Sequence, residues 1–437
     1  MFFASLALTG LSALSAGPQV ATPAPTPVLQ DLVTRLSDTG NRVGFATATF
    51  DDTTFEVLRD AHQLQRVMTI GDFPLPGGTS VDLTLRPVDV WEAGGKARVI
   101  LEDGSVEYLA PSIQLFSTHV QGLESTGFLG VSREMMHGYL SIGGDTFILS
   151  TGADDGTRKP LAISHSDVFG RQGNEFCNVM TDAPSGVSVQ PQQSRAGLEI
   201  WETKVFIECD NKFRGRFSSN QATIDYATLL VGASSEIYRR DLGATMIIPN
   251  GNVQVWNSTP PWGKITTFGD ISAVRSWWNS SSNPNKSVAR AQVHVLSYPV
   301  FGGVAWGIGI LCQKTNSYAI SSCYGSFPYP IKHTSGSNWD LYVFSHESGH
   351  LYGSQHTFDY VPPINCNDGS GPDKGTIMSY CHQTYGVGGV GMRFHKRVQD
   401  NMRGTIPGAA CVKKIPIRLG DYNGDDIIDQ IDTDAFD

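Results

Sequence analysis

The sequence predicts an α/β (α+β) protein in two parts, a β-rich N-terminal region followed by a mixed layer of helices and strands. Three observations carry this. Residues 40–165 hold short alternating apolar runs broken by Gly and Asp-Gly, as in Ala97-Arg98-Val99-Ile100-Leu101 before Asp103-Gly104, and these are strand and hairpin signals. Beyond about residue 198, helical and strand patterns alternate, which indicates an α/β layer with a twisted mixed sheet. A short helix over 339–352 then sets His346 and His350 four residues apart, on one face.

The elements follow in order. Residues 1–16 form an apolar run ending in Ser12, Ala13, Ser15 and Ala16, the pattern of a secretory signal peptide, although no Lys or Arg precedes it. Residues 17–39 are a leader linker whose first half is rich in Pro, Ala and Thr. The β-rich region spans 40–182. Residues 183–197 (APSGVSVQPQQSRAG) carry little that could pack, so they predict a domain boundary, with Arg195 an exposed site for proteolytic maturation. The second folded unit spans 198–412. Leu198–Glu208 reads as a strand, and 221–241 as a helix through Ile224, Ala227, Leu230 and Ile237. Then come strand-like 244–256, helix-like 270–279, an apolar Gly-punctuated stretch at 292–312, the histidine helix, Gly-rich 357–392 and a last helix at 394–403. Residues 413–437 are an acidic tail.

A chain of 437 residues has room for two or three domains. Charged residues are only 17%, with 47 Gly and 23 Pro, a mix that suits a loop-rich extracellular protein. The net charge of -10 leaves no basic stripe for phosphates and argues against a nucleic-acid partner. Apart from the N-terminal run, no apolar stretch reaches the length of a membrane span, so export without a membrane anchor is expected. Seven cysteines suit an oxidising compartment. Cys366 and Cys381 flank a Gly-rich loop and are expected to pair. Cys312 could join Cys323, leaving Cys209 for Cys411, or Cys312 could join Cys411. Cys177 is the expected odd one out.

Residues 346–356 read His-Glu-Ser-Gly-His-Leu-Tyr-Gly-Ser-Gln-His. Two imidazoles one helical turn apart can grip one ion. Gly353 can take a positive φ, end the helix and turn the chain back, so that His356 becomes a third ligand. Three neutral imidazoles leave a zinc ion its full charge and an open fourth position, where it lowers the pKa of water to about 7. Glu347 lies beside the metal as the general base. A structural zinc is disfavoured, because such sites close all four positions with Cys or His.

The HExxHxxGxxH run, followed by Gly375-Thr376-Ile377-Met378-Ser379-Tyr380, resembles the metzincin metallopeptidases. The resemblance is closest to the reprolysin (adamalysin-type) branch. Its softer cues are Ile237–Gly243, Gly303–Trp306 leading to Cys312, and a propeptide-like region near Phe128–Gly152. It implies a secreted zinc endopeptidase made as a zymogen, acting on protein or peptide substrates and held by its own propeptide. It also implies that Met378 forms an apolar floor beneath the zinc; without it, Met378 reads as a core methionine. Thr357 stands where reprolysins usually have Asp. Tyr380 is more like the astacin and serralysin branches, where it can hold the oxyanion; a packed turn residue is the other reading.

Cys177 is a candidate latency cysteine, because a thiolate can fill zinc's open position; a disulfide or an inert thiol is the alternative. Gly303, Val304, Ala305 and Trp306 read either as an edge strand that pairs with an extended substrate or as a buried central strand. In the tail, Asp421, Asn423, Asp425, Ile427 (through its carbonyl), Asp429 and Asp432 follow an EF-hand-type calcium spacing, with Asp426 where Gly is usual and Asp432 where Glu is usual. The tail resembles half a dockerin repeat, which implies a cohesin-like or surface partner; a disordered acidic tail is the alternative. Two rivals to a general peptidase are a secreted binding or adhesion module of the same fold, and an enzyme that removes only its own leader.

Overall fold

The computed structural model describes residues 28–29, 45–165, 176–180, 200–298, 302–326, 339–371, 373–386 and 389–415. The signal-peptide reading, the boundary at 183–197 with Arg195, and the calcium positions Asp421, Asn423, Asp425, Ile427, Asp429 and Asp432 lie outside the described residues.

The N-terminal strands are β1 (Val28–Leu29), β2 (Phe45–Ala48), β3 (Met68–Leu75), β4 (Thr79–Val88), β5 (Ala97–Ile100), β6 (Val106–Leu109), β7 (Gln114–Val120), β8 (Ser125–Val131), β9 (Met136–Ile142), β10 (Asp145–Ser150), β11 (Leu161–His165) and β12 (Cys177–Val179), with helix α1 (Asp52–Gln63) after β2. The second half holds β13 (Ile200–Cys209), α2 (Asn211–Arg214), α3 (Asn220–Leu242), β14 (Ala244–Ile247), β15 (Val253–Trp256), α4 (Ile271–Asn279), β16 (Gln292–Ser297), β17 (Gly303–Ala305), β18 (Tyr318–Ser322), α5 (Trp339–Leu351), α6 (His382–Tyr385), α7 (Lys396–Thr405) and β19 (Lys413–Ile415).

Two sheets result. The first runs β1-β3-β4-β7-β8-β9-β10-β11-β2 and is antiparallel except for β1 against β3. The second runs β12-β17-β18-β16-β13-β15-β5-β6. Its centre, β18-β16-β13-β15-β5, is parallel, as expected where helices cover a buried sheet. β17 lies antiparallel to β18.

Residues 97–109 were read as part of a separate β-rich unit. Instead, the β5–β6 hairpin joins the second sheet, with Arg98 opposite Gln254 and Val99 opposite Val255. Ala97 and Val99 are fully buried there. The physical reason is the edge of β15, whose unpaired N–H and C=O groups are satisfied by an added strand.

Helix α3 sits between the two layers. Ser219 caps its start by accepting from the Ala222 N–H, and Gly243 (φ 64) ends it in the left-handed region. One side meets α5: Tyr238 Oη donates to the Ser345 carbonyl at 2.8 Å. The other faces the first sheet, where a Cβ on Gly232 would lie 2.7 Å from Leu115 and 2.8 Å from Phe128. A helix buried on both sides needs apolar residues nearly all round, and α3 carries Ile224, Leu229, Leu230, Val231 and Ile237 fully buried.

Two disulfides are present, Cys312–Cys411 and Cys366–Cys381. The second matches expectation, and the first decides between the two open pairings. Cys312–Cys323 and Cys209–Cys411 do not form, because Cys209 on β13 and Cys323 just past β18 are buried while Cys312 sits beside Cys411. Cys177 is free, as are Cys209 and Cys323. No helix among the described residues is long and apolar enough to cross a membrane.

Candidate metal centre

Helix α5 is buried along its whole length, so its histidines project into the interior rather than into solvent. It ends at Leu351, and Gly353 takes φ 114, the positive value expected of it. A Cβ there would lie 2.6 Å from Thr405 Oγ1, a second reason for glycine. The reversal brings His356 back, its ring centroid 5.3 Å from that of His346 and 4.7 Å from that of His350.

The three rings share one hydrogen-bond logic. His346 Nδ1 meets the Ile377 carbonyl at 2.6 Å, His350 Nδ1 the Ser354 carbonyl at 2.7 Å, and His356 Nδ1 the Asp359 carboxylate at 3.2 Å. Those partners accept, so each Nδ1 carries the proton and each Nε2 presents a bare lone pair. Yet His346 Nε2 and His350 Nε2 face each other at 3.2 Å. Two lone pairs at that separation repel unless a cation lies between them. Donor atoms around tetrahedral zinc are about 3.3–3.6 Å apart, so the residues fit such an ion. His356 Nε2 and Glu347 Oε1 are buried with no hydrogen-bond partner among the described residues, a further mark of a site built for another group. Burial, then the neighbouring rings, holds His346 well below the usual histidine range, and burial holds His350 at about 3. Both are neutral, the form that ligates metal.

Cys177 joins these rings. Its Sγ lies 3.3 Å from His350 Nε2 and 3.4 Å from Glu347 Oε2. Ligand atoms of Cys177, His346, His350 and His356 all fall within 4.8 Å of one another. Burial pushes the Glu347 carboxyl well above the usual carboxylate range.

Gly303, Val304 and Ala305 form β17, and their free flank is taken by β12: Cys177 pairs with Gly303, Asn178 with Val304 and Val179 with Ala305, in parallel. Trp306 lies just past the strand, its N–H donating to the Tyr318 carbonyl and its ring under the Arg275 guanidinium. Met378 is fully buried beneath the helix, where a Cβ on Gly349 would lie 2.5 Å from its sulfur. The Tyr380 hydroxyl donates to the Cys177 carbonyl at 2.7 Å, and its ring stands 4.8 Å from that of His356.

Sequence reasoning passed over several participants. Ile377, Ser354 and Asp359 orient the histidines, two of them through backbone carbonyls that no side-chain pattern reveals. Gly302 takes φ 137, and a Cβ there would lie 1.7 Å from the Phe176 carbonyl oxygen. Phe176 packs directly against His346, and His382 packs against Phe176; the one available signal was their adjacency to Cys177 and to the Met378 turn.

No curated protein matches this chain. Among solved structures, metalloproteinase-II from Bacteroides fragilis is 12% identical with a TM-score of 0.42, over 78% of this chain and 96% of that one. A chaperone-substrate complex is 12% identical with a TM-score of 0.30, over 47% of this chain and 35% of that one. Both are loose likenesses. Residues 202–388, the stretch that holds the three histidines, Glu347, Met378 and Tyr380, match the family model Reprolysin_5, Metallo-peptidase family M12, which supports a zinc metallopeptidase.

Proposed function

We propose that the chain is a secreted zinc endopeptidase of the metzincin type, made as a zymogen that Cys177 holds latent. The observation that carries this reading is the convergence of one thiol and three Nε2 atoms within 4.8 Å, beside a buried carboxylate. His346, His350 and His356 would hold the zinc, which when bound supplies a Lewis acid for a peptide carbonyl and for water. Glu347 takes a proton from the attacking water and returns it to the leaving amine. Tyr380 Oη, already a donor to a backbone carbonyl of the leader, donates to the carbonyl oxygen as negative charge develops. The Gly303 N–H, now donating to the Phe176 carbonyl at 2.9 Å, holds substrate backbone in the same way. Cys177 keeps the corner shut by placing its sulfur where substrate and water would enter. Export is supported by two disulfides, which persist in oxidising compartments.

The test is peptide hydrolysis by the full chain after limited tryptic cleavage of the 181–199 stretch, with metal content measured alongside. The expected result is about one zinc per chain, general turnover of unfolded casein, loss of turnover with a chelator, and loss in Glu347→Gln with zinc retained. Zinc binding without casein turnover would favour a binding module or an enzyme confined to its own leader.

A further inference from the structure

The leader does more at this site than bring a thiol to it. Phe176, one residue before Cys177, is fully buried. Its ring stacks on Tyr342 at 4.7 Å and 9°, and meets His346 at 4.6 Å and 80°, Trp339 at 5.2 Å and 76°, Tyr380 at 5.6 Å and 87°, and His382 at 4.4 Å and 60°. One parallel face with ring edges and faces around the remainder makes a slot shaped for a flat ring. One wall is His346, a candidate metal ligand, so whatever fills the slot lies beside the bond that would be cut. The backbone at this point is gripped from both flanks, by the Gly303 N–H on the Phe176 carbonyl and the Tyr380 hydroxyl on the Cys177 carbonyl. Gly302 lacks the Cβ that would block that approach. These grips hold main chain and do not depend on the leader's sequence; the slot reads a side chain.

We propose that the recess filled by Phe176 selects an aromatic residue of the substrate immediately flanking the cleaved bond, and that Phe176 occupies it in the zymogen in place of that residue. This rests on the peptidase reading above. An aliphatic side chain in the slot forgoes the stack on Tyr342 and the edge contacts of four other rings, so discrimination of about tenfold or more against leucine is expected.

Two measurements separate the subsite from the peptidase reading. In the first, the trypsin-nicked chain is given a peptide mixture varied at both residues flanking a central bond, and the products are sequenced by mass spectrometry. The expected result is Phe, Tyr or Trp on one flank, at least about tenfold over Leu, Ala and Lys. Cleavage without an aromatic flank overturns the subsite and leaves the peptidase standing. The second needs no catalysis. N-acetyl-phenylalaninamide should raise the thermal unfolding midpoint of full-length Phe176→Ala, N-acetyl-leucinamide should not, and neither should move the unsubstituted chain, whose recess is full. Should the alanine variant not fold, Phe176→Leu replaces it, with the phenylalaninamide speeding thiol labelling of Cys177 by displacing the leucine. If no peptide is cut, the peptidase reading falls and the amide measurement decides the recess: equal effects of both amides, or none, overturn it.

Discussion

Gly303→Ala should disable the reaction while leaving the metal bound. A Cβ at this position would lie 2.4 Å from Glu347 Cγ, 2.4 Å from Oε1 and 2.6 Å from Cδ. Ordinary contact begins near 3.4 Å, so strand and carboxylate must separate by about 1 Å. The overlap falls on the stem of the side chain as well as its tip, and Glu347 is wholly buried, so it cannot swing into solvent. A misplacement of ~1 Å in a reacting group costs on the order of 100-fold, and the overpacking itself costs about 1–3 kcal/mol of stability. The assay is kcat/KM on a fluorogenic peptide for the two trypsin-nicked chains, with zinc stoichiometry and Tm measured in parallel. The expected outcome is kcat/KM down by about two orders of magnitude, zinc unchanged and Tm lowered by a few degrees. A variant that keeps kcat/KM within about threefold of the parent would refute the argument, because Glu347 could then not be the base held at this spot.

Other outcomes follow from the same structure. Cys177→Ser should raise hydrolysis by the uncut chain by about tenfold or more, and an uncut chain that stays silent would mean that the thiol is not the latch. Breaking Cys312–Cys411 opens a loop closed over 99 residues, so Cys411→Ser should cost about 5 kcal/mol, against about 3 kcal/mol for Cys381→Ser with its separation of 15; denaturant midpoints give the comparison. Burial holds His137 and His294 at about 3, below the ordinary 6.5. The unfolded chain therefore takes up protons first: their stabilisation is complete above pH 6.5 and is lost as pH falls towards 3, by about 1.4 kcal/mol per pH unit for each. Urea titrations at pH 6.5 and 4.5 should show a smaller drop in His137→Gln than in the parent, and an equal drop would show that His137 is not buried neutral.

Much of the centre was legible because its information is local. The interval from His346 to His350 equals one helical turn, and a glycine three residues before His356 marks the reversal. The helix at Asn220–Leu242 was visible in residue periodicity, the one at Ile271–Asn279 in its helix-like pattern, and the one at Trp339–Leu351, buried all round, through its histidine spacing. The β5–β6 hairpin was not assigned to its sheet, since a strand pattern shows which residues face inward but not which edge they will join. The choice of Cys312 for Cys411 was equally closed to inspection, because spacing does not measure the distance between thiols.

By itself, then, the sequence determined which side chains could ligate a metal, which carboxylate stands next to them, and which turn residues let a third histidine return. Short-range backbone geometry decides all of these within about ten residues. The tertiary structure alone decided that Phe176 and Cys177, some 170 residues upstream, lie against those histidines along β17, that Gly302 makes room for Phe176, and that Gly303 makes room for Glu347. Contacts of that span arise when sheets and helices bury their apolar faces together, and no local pattern records which distant segments will meet.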